Sequence, residues 1–331
     1  MRRRDFITAL AGAAATWSDA AWAQQLNRMP RLGALIAFKE DDPEEKLRVS
    51  ALREGLRELG WREGSNLQID WRFAAGDLSL MERYAAELVR LKPDVVVAEN
   101  TAVVSALLRE TREIPIVFVQ VSDPIGGGFV ASLARPGGNV TGFTNFEPSL
   151  MGKWVDLLRE VSPGTQRVAL LFNPSTAPMA GQYYLPFFDA AARALGIEAI
   201  PSPVHKPEDI ELTLAAIAKV PGGGLIIMPD TFLATNRDLI INLAAQNHLP
   251  AIYPYRYFVN SGAMLSYGVN TRDILRRSAS YIHRIINGEK AADLPVQAPT
   301  KFELVINLKA IKALGFTVPP RLLAIADEVI E

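Results

Sequence analysis

Along almost the whole chain, short continuous apolar runs alternate with longer stretches whose apolar positions recur at helical spacing. The runs at 31–37, 94–98 and 115–119 predict buried strands, and the polar–apolar alternation over 66–73 predicts another. Between them, 44–59, 80–91 and 102–112 have helical periodicity, with Gly60 and Lys92-Pro93 as stop signals for the first two. The rhythm pauses over 122–142, where Asp123-Pro124, Gly126-Gly127-Gly128 and Arg135-Pro136-Gly137-Gly138 predict a short helix, a turn and a crossing strand. It then restarts, with helices expected at 149–161, 179–195, 207–219, 231–247 and 273–286 and strands at 167–172, 197–202, 223–228, 250–253 and 263–267. The tail holds a strand at 301–306 and a Leu/Ile-rich helical stretch broken by Pro319-Pro320.

Alternation of this kind predicts an α/β protein with parallel sheets covered by helices on both faces. Two such runs of similar length, joined by a Gly-rich crossover, predict two similar lobes. The stretches after 268 and after 299 are too short for a third domain, so they are expected to return and complete the lobes through a multi-segment hinge. The expected division is 24–142 plus 269–298 for the N-terminal lobe and 143–268 plus 299–331 for the C-terminal lobe.

Residues 1–23 follow a different pattern. Arg2-Arg3-Arg4 precede an Ala-rich apolar stretch over 9–17, and Ala21-Trp22-Ala23 puts small residues at the two positions a signal peptidase reads. This predicts a secretory signal, and Arg3-Arg4-Asp5-Phe6-Ile7 fits its twin-arginine form. The expected mature chain starts at Gln24 and works in the periplasm, where ATP and reduced nicotinamide cofactors are scarce. A formal charge of −1 offers no basic excess for nucleic acid or an anionic membrane surface. The chain has no cysteine, which removes thiol nucleophiles, thiolate metal sites and the residue a lipid anchor would need. A monomer free in the periplasm is expected. His205, His248 and His283 lack metal-ligand spacing, so neither metal nor cofactor is assigned.

No catalytic motif stands out: there is no Gly-x-Ser-x-Gly elbow, no phosphate loop and no His-Glu-x-x-His. Gly126-Gly127-Gly128 and Gly222-Gly223-Gly224 do not sit between a strand and the helix it opens. Candidate chemistry lies instead at the carboxyl ends of the strands, where open parallel sheets bind ligands. There the chain places Lys39, then Asn100 and Thr101, then Ser122 and Asp123, and in its second half Asn173, Ser175, Asp230 and Tyr253. Most of these would serve equally as helix caps or turn formers. Both roles are compatible, because a helix start with free N–H groups also takes a carboxylate. In this set Asp230 or Asp123 would hold a ligand amine, and the helix starts near Thr101 and Ser175 a carboxylate.

Several segments resemble the substrate-binding proteins of ATP-binding-cassette transporters, a family with tryptophan- and other amino-acid-binding members. They are Ile114 to Phe118, Ser122-Asp123-Pro124, the block from Leu133 to Gly142 that contains Arg135-Pro136-Gly137-Gly138-Asn139, and Asn173-Pro174. The C-terminal run from Ala292 through Lys301-Phe302-Glu303-Leu304-Val305-Ile306-Asn307 to Pro320 resembles it as well. The resemblance implies a periplasmic binding protein of type I: two Rossmann-like lobes, a three-segment hinge and a small molecule trapped in the cleft for a membrane permease. A ligand-sensing module for a membrane receptor is the alternative, and an enzyme on the same fold a third. Glu99 departs from the small residues usual after the third strand; a carboxylate at the cleft mouth would repel an acidic ligand or pair with an amine.

The expected N-terminus is directly testable. Mass spectrometry of periplasmic protein should find Gln24 first, and replacing Arg3 and Arg4 by lysine should retain precursor in the cytoplasm. Unchanged export of that variant would assign the general secretory route.

Overall fold

The computed structural model describes residues 28–331, so the expected signal segment and the cleavage point after Ala23 lie outside the described residues. The first sheet is built from β1 (Arg31–Ile36), β2 (Gln68–Phe73), β3 (Val95–Glu99), β4 (Ile116–Val121) and β5 (Val140–Thr144). Helices α1 (Pro43–Glu58), α2 (Leu78–Arg90) and α3 (Thr101–Glu110) connect its first four strands. The strand order is β2-β1-β3-β4-β5, and every pairing is parallel. β3 and β4 are buried along their whole length, as continuous apolar runs covered on both faces must be. β2, at one edge of the sheet, is only partly buried.

The second sheet repeats this plan. α4 (Ser149–Val161) leads into β6 (Arg167–Phe172), followed by α5 (Leu185–Ala194), β7 (Glu198–Pro203), α6 (Pro207–Ala218), β8 (Gly223–Ile227), α7 (Thr231–Thr235), α8 (Arg237–Gln246) and β9 (Ala251–Ile252). The order β7-β6-β8-β9 is again parallel. α9 (Arg256–Asn260) and β10 (Leu265–Val269) follow, and a bridge between Tyr253 and Ser266 ties β10 to this lobe. The chain then crosses back as α10 (Thr271–Ile286), and β11 (Phe302–Asn307), α11 (Leu308–Ala313), α12 (Pro320–Ile325) and β12 (Glu328–Ile330) complete a small sheet of order β10-β11-β12. The chain thus passes between the lobes three times: after Thr144, between Val269 and Thr271, and between Gln297, which bridges to Phe143, and Phe302. β5 ends at Thr144, two residues beyond the expected boundary at 142. Among the described residues, no helix is long and apolar enough to cross a membrane.

Some sequence expectations are corrected here. No helix forms after Ser122, because Asp123 Oδ1 accepts the Gly126 N–H at 2.8 Å and Gly128 turns to φ +68°, which closes a turn. The expected helix 179–195 begins instead as a short 3-10 turn, Pro178–Gly181, since Met179 and Ala180 have φ +47° and +53°. The expected helix 231–247 divides at Asn236, and α9 replaces what was left without an element.

α10 belongs by contact to the first lobe, where it packs along α1. Leu52 and Leu56 face Leu275 and Ile282 in one buried core, each such side chain contributing about 1.5–3 kcal/mol. Gly55 permits the close approach: a Cβ there would overlap the Arg276 carbonyl oxygen. Helix propensity alone favours Gly55→Ala by about 1 kcal/mol. Overpacking against a helix backbone costs about 1–3 kcal/mol, so Gly55→Ala should lower the melting temperature; an unchanged or raised value would show that α10 yields freely.

Candidate ligand cleft

The carboxyl ends of both parallel sheets face one another across the cleft, and side chains from both lobes meet there. Asn100 caps α3 by accepting the Val103 N–H at 3.1 Å, and its Nδ2 donates across the cleft to Thr231 Oγ1 at 2.5 Å. The cap leaves the amides of Thr101 and Ala102 without a partner among the described residues. Tyr184 donates to Ser122 Oγ at 3.0 Å, Ser122 donates to Asn145 Oδ1 at 3.0 Å, and Asn145 Nδ2 donates to the Tyr255 hydroxyl at 2.6 Å. This chain of four buried side chains joins the first lobe, the first hinge crossing and the second lobe. On the other flank Asp42, the cap of α1, forms an ion pair with Arg237 of α8 at 2.7 Å. Burial opposes the charge on Asp42, but Arg237 and two backbone N–H groups outweigh it and hold the carboxyl below its usual range.

Strain collects at the same place. Asn100 has φ +74°, Gln120 φ +58° at an irregularity in β4, and Met179 and Ala180 are consecutive left-handed residues opposite the Asp123 turn. Non-glycine residues in this region cost about 1–3 kcal/mol each and persist where surroundings over-determine them, commonly at ligand clamps. Two cavities flank this contact. One, of about 330 Å³, runs along α3 past Thr101 and Ser105 and is closed by Phe129, Ser175, Thr176 and Met179. The buried Thr176 hydroxyl there lies beside the Asp230 carboxylate. The other, of about 350 Å³, lies on the hinge side and is lined by Ser122, Asp123, Phe146, Glu147 and Tyr183. Burial and the nearby Asp123 charge push the Tyr183 hydroxyl up to about 12.

The sequence-expected residues divide accordingly. Asn100, Thr101, Ser122, Asp123, Asn173, Ser175 and Asp230 all come to the facing strand ends. Lys39 does not join them: it is exposed in the turn after β1, where its carbonyl accepts the Asp42 N–H. Tyr253 is buried against Phe258 in a small apolar cavity with Ile241 and Leu314, while Tyr255 takes the cleft position. Glu99 is not at the cleft mouth; it is fully buried, accepts the Ala37 N–H and the Gln120 side chain, and pairs with Arg48 at 3.0 Å. Asp230 caps α7 through the Leu233 N–H and also accepts the Asn173 N–H, both at 2.8 Å. Burial pushes its carboxyl up to about 7 against these donors, the Thr176 hydroxyl and the Phe232 N–H. Asn145 and Tyr184 were missed. Asn145 follows directly on β5, so the strand-end rule finds it once that strand is bounded at Thr144.

The family described as ABC transporter substrate binding protein matches residues 34–330. The chain belongs to that family. Among curated proteins, this substrate-binding protein is 23% identical over 262 residues to a tyrosine-binding protein of Clostridioides difficile, covering 79% of this chain and 74% of the relative. Among solved structures, it resembles a conserved domain protein of Vibrio cholerae at 28% identity and TM-score 0.84, over 91% of this chain and all (100%) of that one. A Streptococcus pneumonia ABC domain in complex with L-Trp gives the same TM-score, 0.84, at 24% identity over 92% of this chain and 100% of the other. The two-lobed architecture is therefore that of a type I periplasmic binding protein.

Asp230 offers a test of how the cleft wall is held. Asparagine would keep one acceptor but turn an N–H₂ toward the second backbone donor. Asp230→Asn should therefore lower stability by about 1–3 kcal/mol in a thermal melt. A silent substitution would mean that one of the two bonds contributes nothing.

Proposed function

We propose that this protein is exported to the periplasm by its N-terminal signal, works there as a free monomer, and delivers a small zwitterion of the amino-acid class to the permease of an ATP-binding-cassette importer. The observation that carries this reading is the meeting of helix starts and polar strand ends from both lobes, with bonds such as Asn100 to Thr231 spanning the cleft. A ligand touching both faces binds the closed form better than the open form and shifts the hinge equilibrium, so a permease can distinguish loaded from empty protein. The named ligands of the relatives, tyrosine and L-Trp, support the amino-acid class.

The roles follow from what is left unpartnered. The ligand carboxylate goes to the start of α3, where the Thr101 and Ala102 amides are free to donate, with Ser175 beside them. The amine goes to Asp123, because Asp230 has committed both oxygens to backbone donors. Asn145 and Tyr255 join the contact set in place of Lys39 and Tyr253. None of these groups forms a nucleophile–base pair, which suits a protein that releases its ligand unchanged.

The test starts from protein unfolded and refolded to strip any copurified ligand. In a thermal-shift panel of the common amino acids, including L-tyrosine and L-tryptophan, at least one should stabilise by about 2.7 kcal/mol at a hundredfold excess over its dissociation constant. Asp123→Asn keeps the Gly126 turn and should weaken that ligand by roughly 2–5 kcal/mol. No response across the panel would overturn the ligand class, and unchanged affinity would remove Asp123 from the site.

A further inference from the structure

Glu45, Arg48 and Glu99 lie together with fractional exposures of 0%, 2% and 0%. Arg48 is 2.6 Å from Glu45 Oε2 and 3.0 Å from Glu99 Oε1, and Gln120 donates to the same Glu99 oxygen at 2.8 Å. Two carboxylates therefore share one guanidinium in a site shut off from water. With both ionised, the cluster would hold an uncompensated negative charge, which a buried site disfavours strongly. Both oxygens of Glu45 lack a well-aligned hydrogen bond among the described residues, so Glu45 is the member least committed to its charge. Burial is the main cause that raises both carboxyls, opposed by Arg48, and it takes Glu45 to about 8.

The second lobe completes the seal. The Arg48 guanidinium lies over Phe38 on one side, at 4.6 Å, and approaches the Tyr257 ring of α9 at 5.7 Å. Tyr257 stacks on Tyr255, and Arg237 of α8 reaches across to Asp42. The remaining charged neighbours are Asp42 with its partner Arg237, and Glu44 with its partner Arg272 of α10. Each carries its own counter-charge, so neither neutralises the surplus carboxylate. When the lobes part, Tyr257 and Arg237 withdraw and water reaches Arg48 and Glu45.

We propose that closure of the two lobes takes up one proton at the Glu45–Arg48–Glu99 cluster, which makes the closed form of this protein progressively more favoured as the pH falls. The sign follows from linkage. In the open form the Glu45 carboxyl returns toward its ordinary value of 4.5; in the closed form it is held near 8. The proton's contribution to closure is fully present below the open-form value and is lost as the pH rises through the closed-form value. Between those limits the ratio of closed to open protein should change up to tenfold per pH unit.

This inference rests on the hinge-closure reading of the cleft, and the experiment needs no ligand, so the two can fail separately. The chain has no cysteine, so Ser79→Cys and Asn242→Cys, both at exposed positions in opposite lobes, can carry a pair of spin labels. Pulsed electron–electron distance measurements from pH 5.5 to 9 should show the shorter distance gaining at low pH. Glu45→Gln, neutral and equal in shape, should remove most of that dependence and hold the shorter distance at pH 9. If Glu45→Gln fails to fold, Tyr257→Ala admits water to the cluster from the other lobe and should flatten the same profile. A distance distribution that does not move with pH, or one that moves equally in the variant that folds, overturns the proposal.

Discussion

Each lobe has the same structural problem at its centre and solves it with a buried carboxylate. In a parallel sheet whose strand order reverses, the chain leaves the first and third strands in opposite directions and opens a crevice lined by unpaired amides. In the first lobe Glu99, ending β3, accepts the Ala37 N–H just beyond β1. In the second lobe Asp230, just beyond β8, accepts the Asn173 N–H just beyond β6. The helix starts that form the cleft wall, at Thr101 and Thr231, follow within one or two residues of these carboxylates. The two lobes differ in how they balance the charge. Glu99 recruits Arg48 and Gln120, whereas Asp230 is held by backbone donors and the Thr176 hydroxyl, without an ion pair among the described residues, and it is raised to about 7. The floor of the cleft is thus duplicated in geometry but not in electrostatics.

Among the described residues, the cross-cleft hydrogen bonds and ion pairs include an amide–hydroxyl bond, a chain of hydroxyls and amides, and the Asp42–Arg237 pair. Net contributions of about 0.5–1.5 kcal/mol for each such bond make a set of this size a bias and not a lock. A protein that must open and close repeatedly needs that balance, since a ligand shifts the equilibrium only by its differential affinity for the two states. Beside the first hinge crossing, Phe146 packs edge-on to Tyr184 and tilted against Trp154 in a buried aromatic cluster that stiffens the wall of the cleft.

Much of this was legible in the chain because burial on both faces writes a strand as a continuous apolar run. α4 and β6 fall where periodicity placed them, at 149–161 and 167–172. Failures came where local chemistry competed with periodicity. The short helix expected after Ser122 gives way to a turn because the Asp123 side chain captures the N–H of Gly126, the first of three consecutive glycines; Met179 and Ala180 lie in helix-compatible sequence yet adopt left-handed backbone. For the candidate site, the strand-end rule brought Asn100, Ser122, Asp123, Asn173 and Asp230 to the facing strand ends because it depends only on strand direction. It differs at Tyr253 because β9 already ends at Ile252: Tyr253 packs on Phe258, and Tyr255, at the start of α9, is the one that bonds Asn145. Glu99 could not be assigned from its neighbours in sequence, since its partner Arg48 comes from a different element and meets it only through the fold.

β7 shows how an exposed sheet edge is protected. Glu198 and Val204 donate their amides inward, to Gln166 and Phe172, so the even-numbered positions of this strand face β6. The odd-numbered positions point outward, and two of the three are Pro201 and Pro203. Proline has no amide to offer, so the outer rim of the second sheet presents a single free donor, at Ala199, where an unguarded strand would present a row. A neighbouring molecule cannot add a strand there in register. That turns a potential polymerisation front into an inert border, and it does so without adding a charge or lengthening a loop.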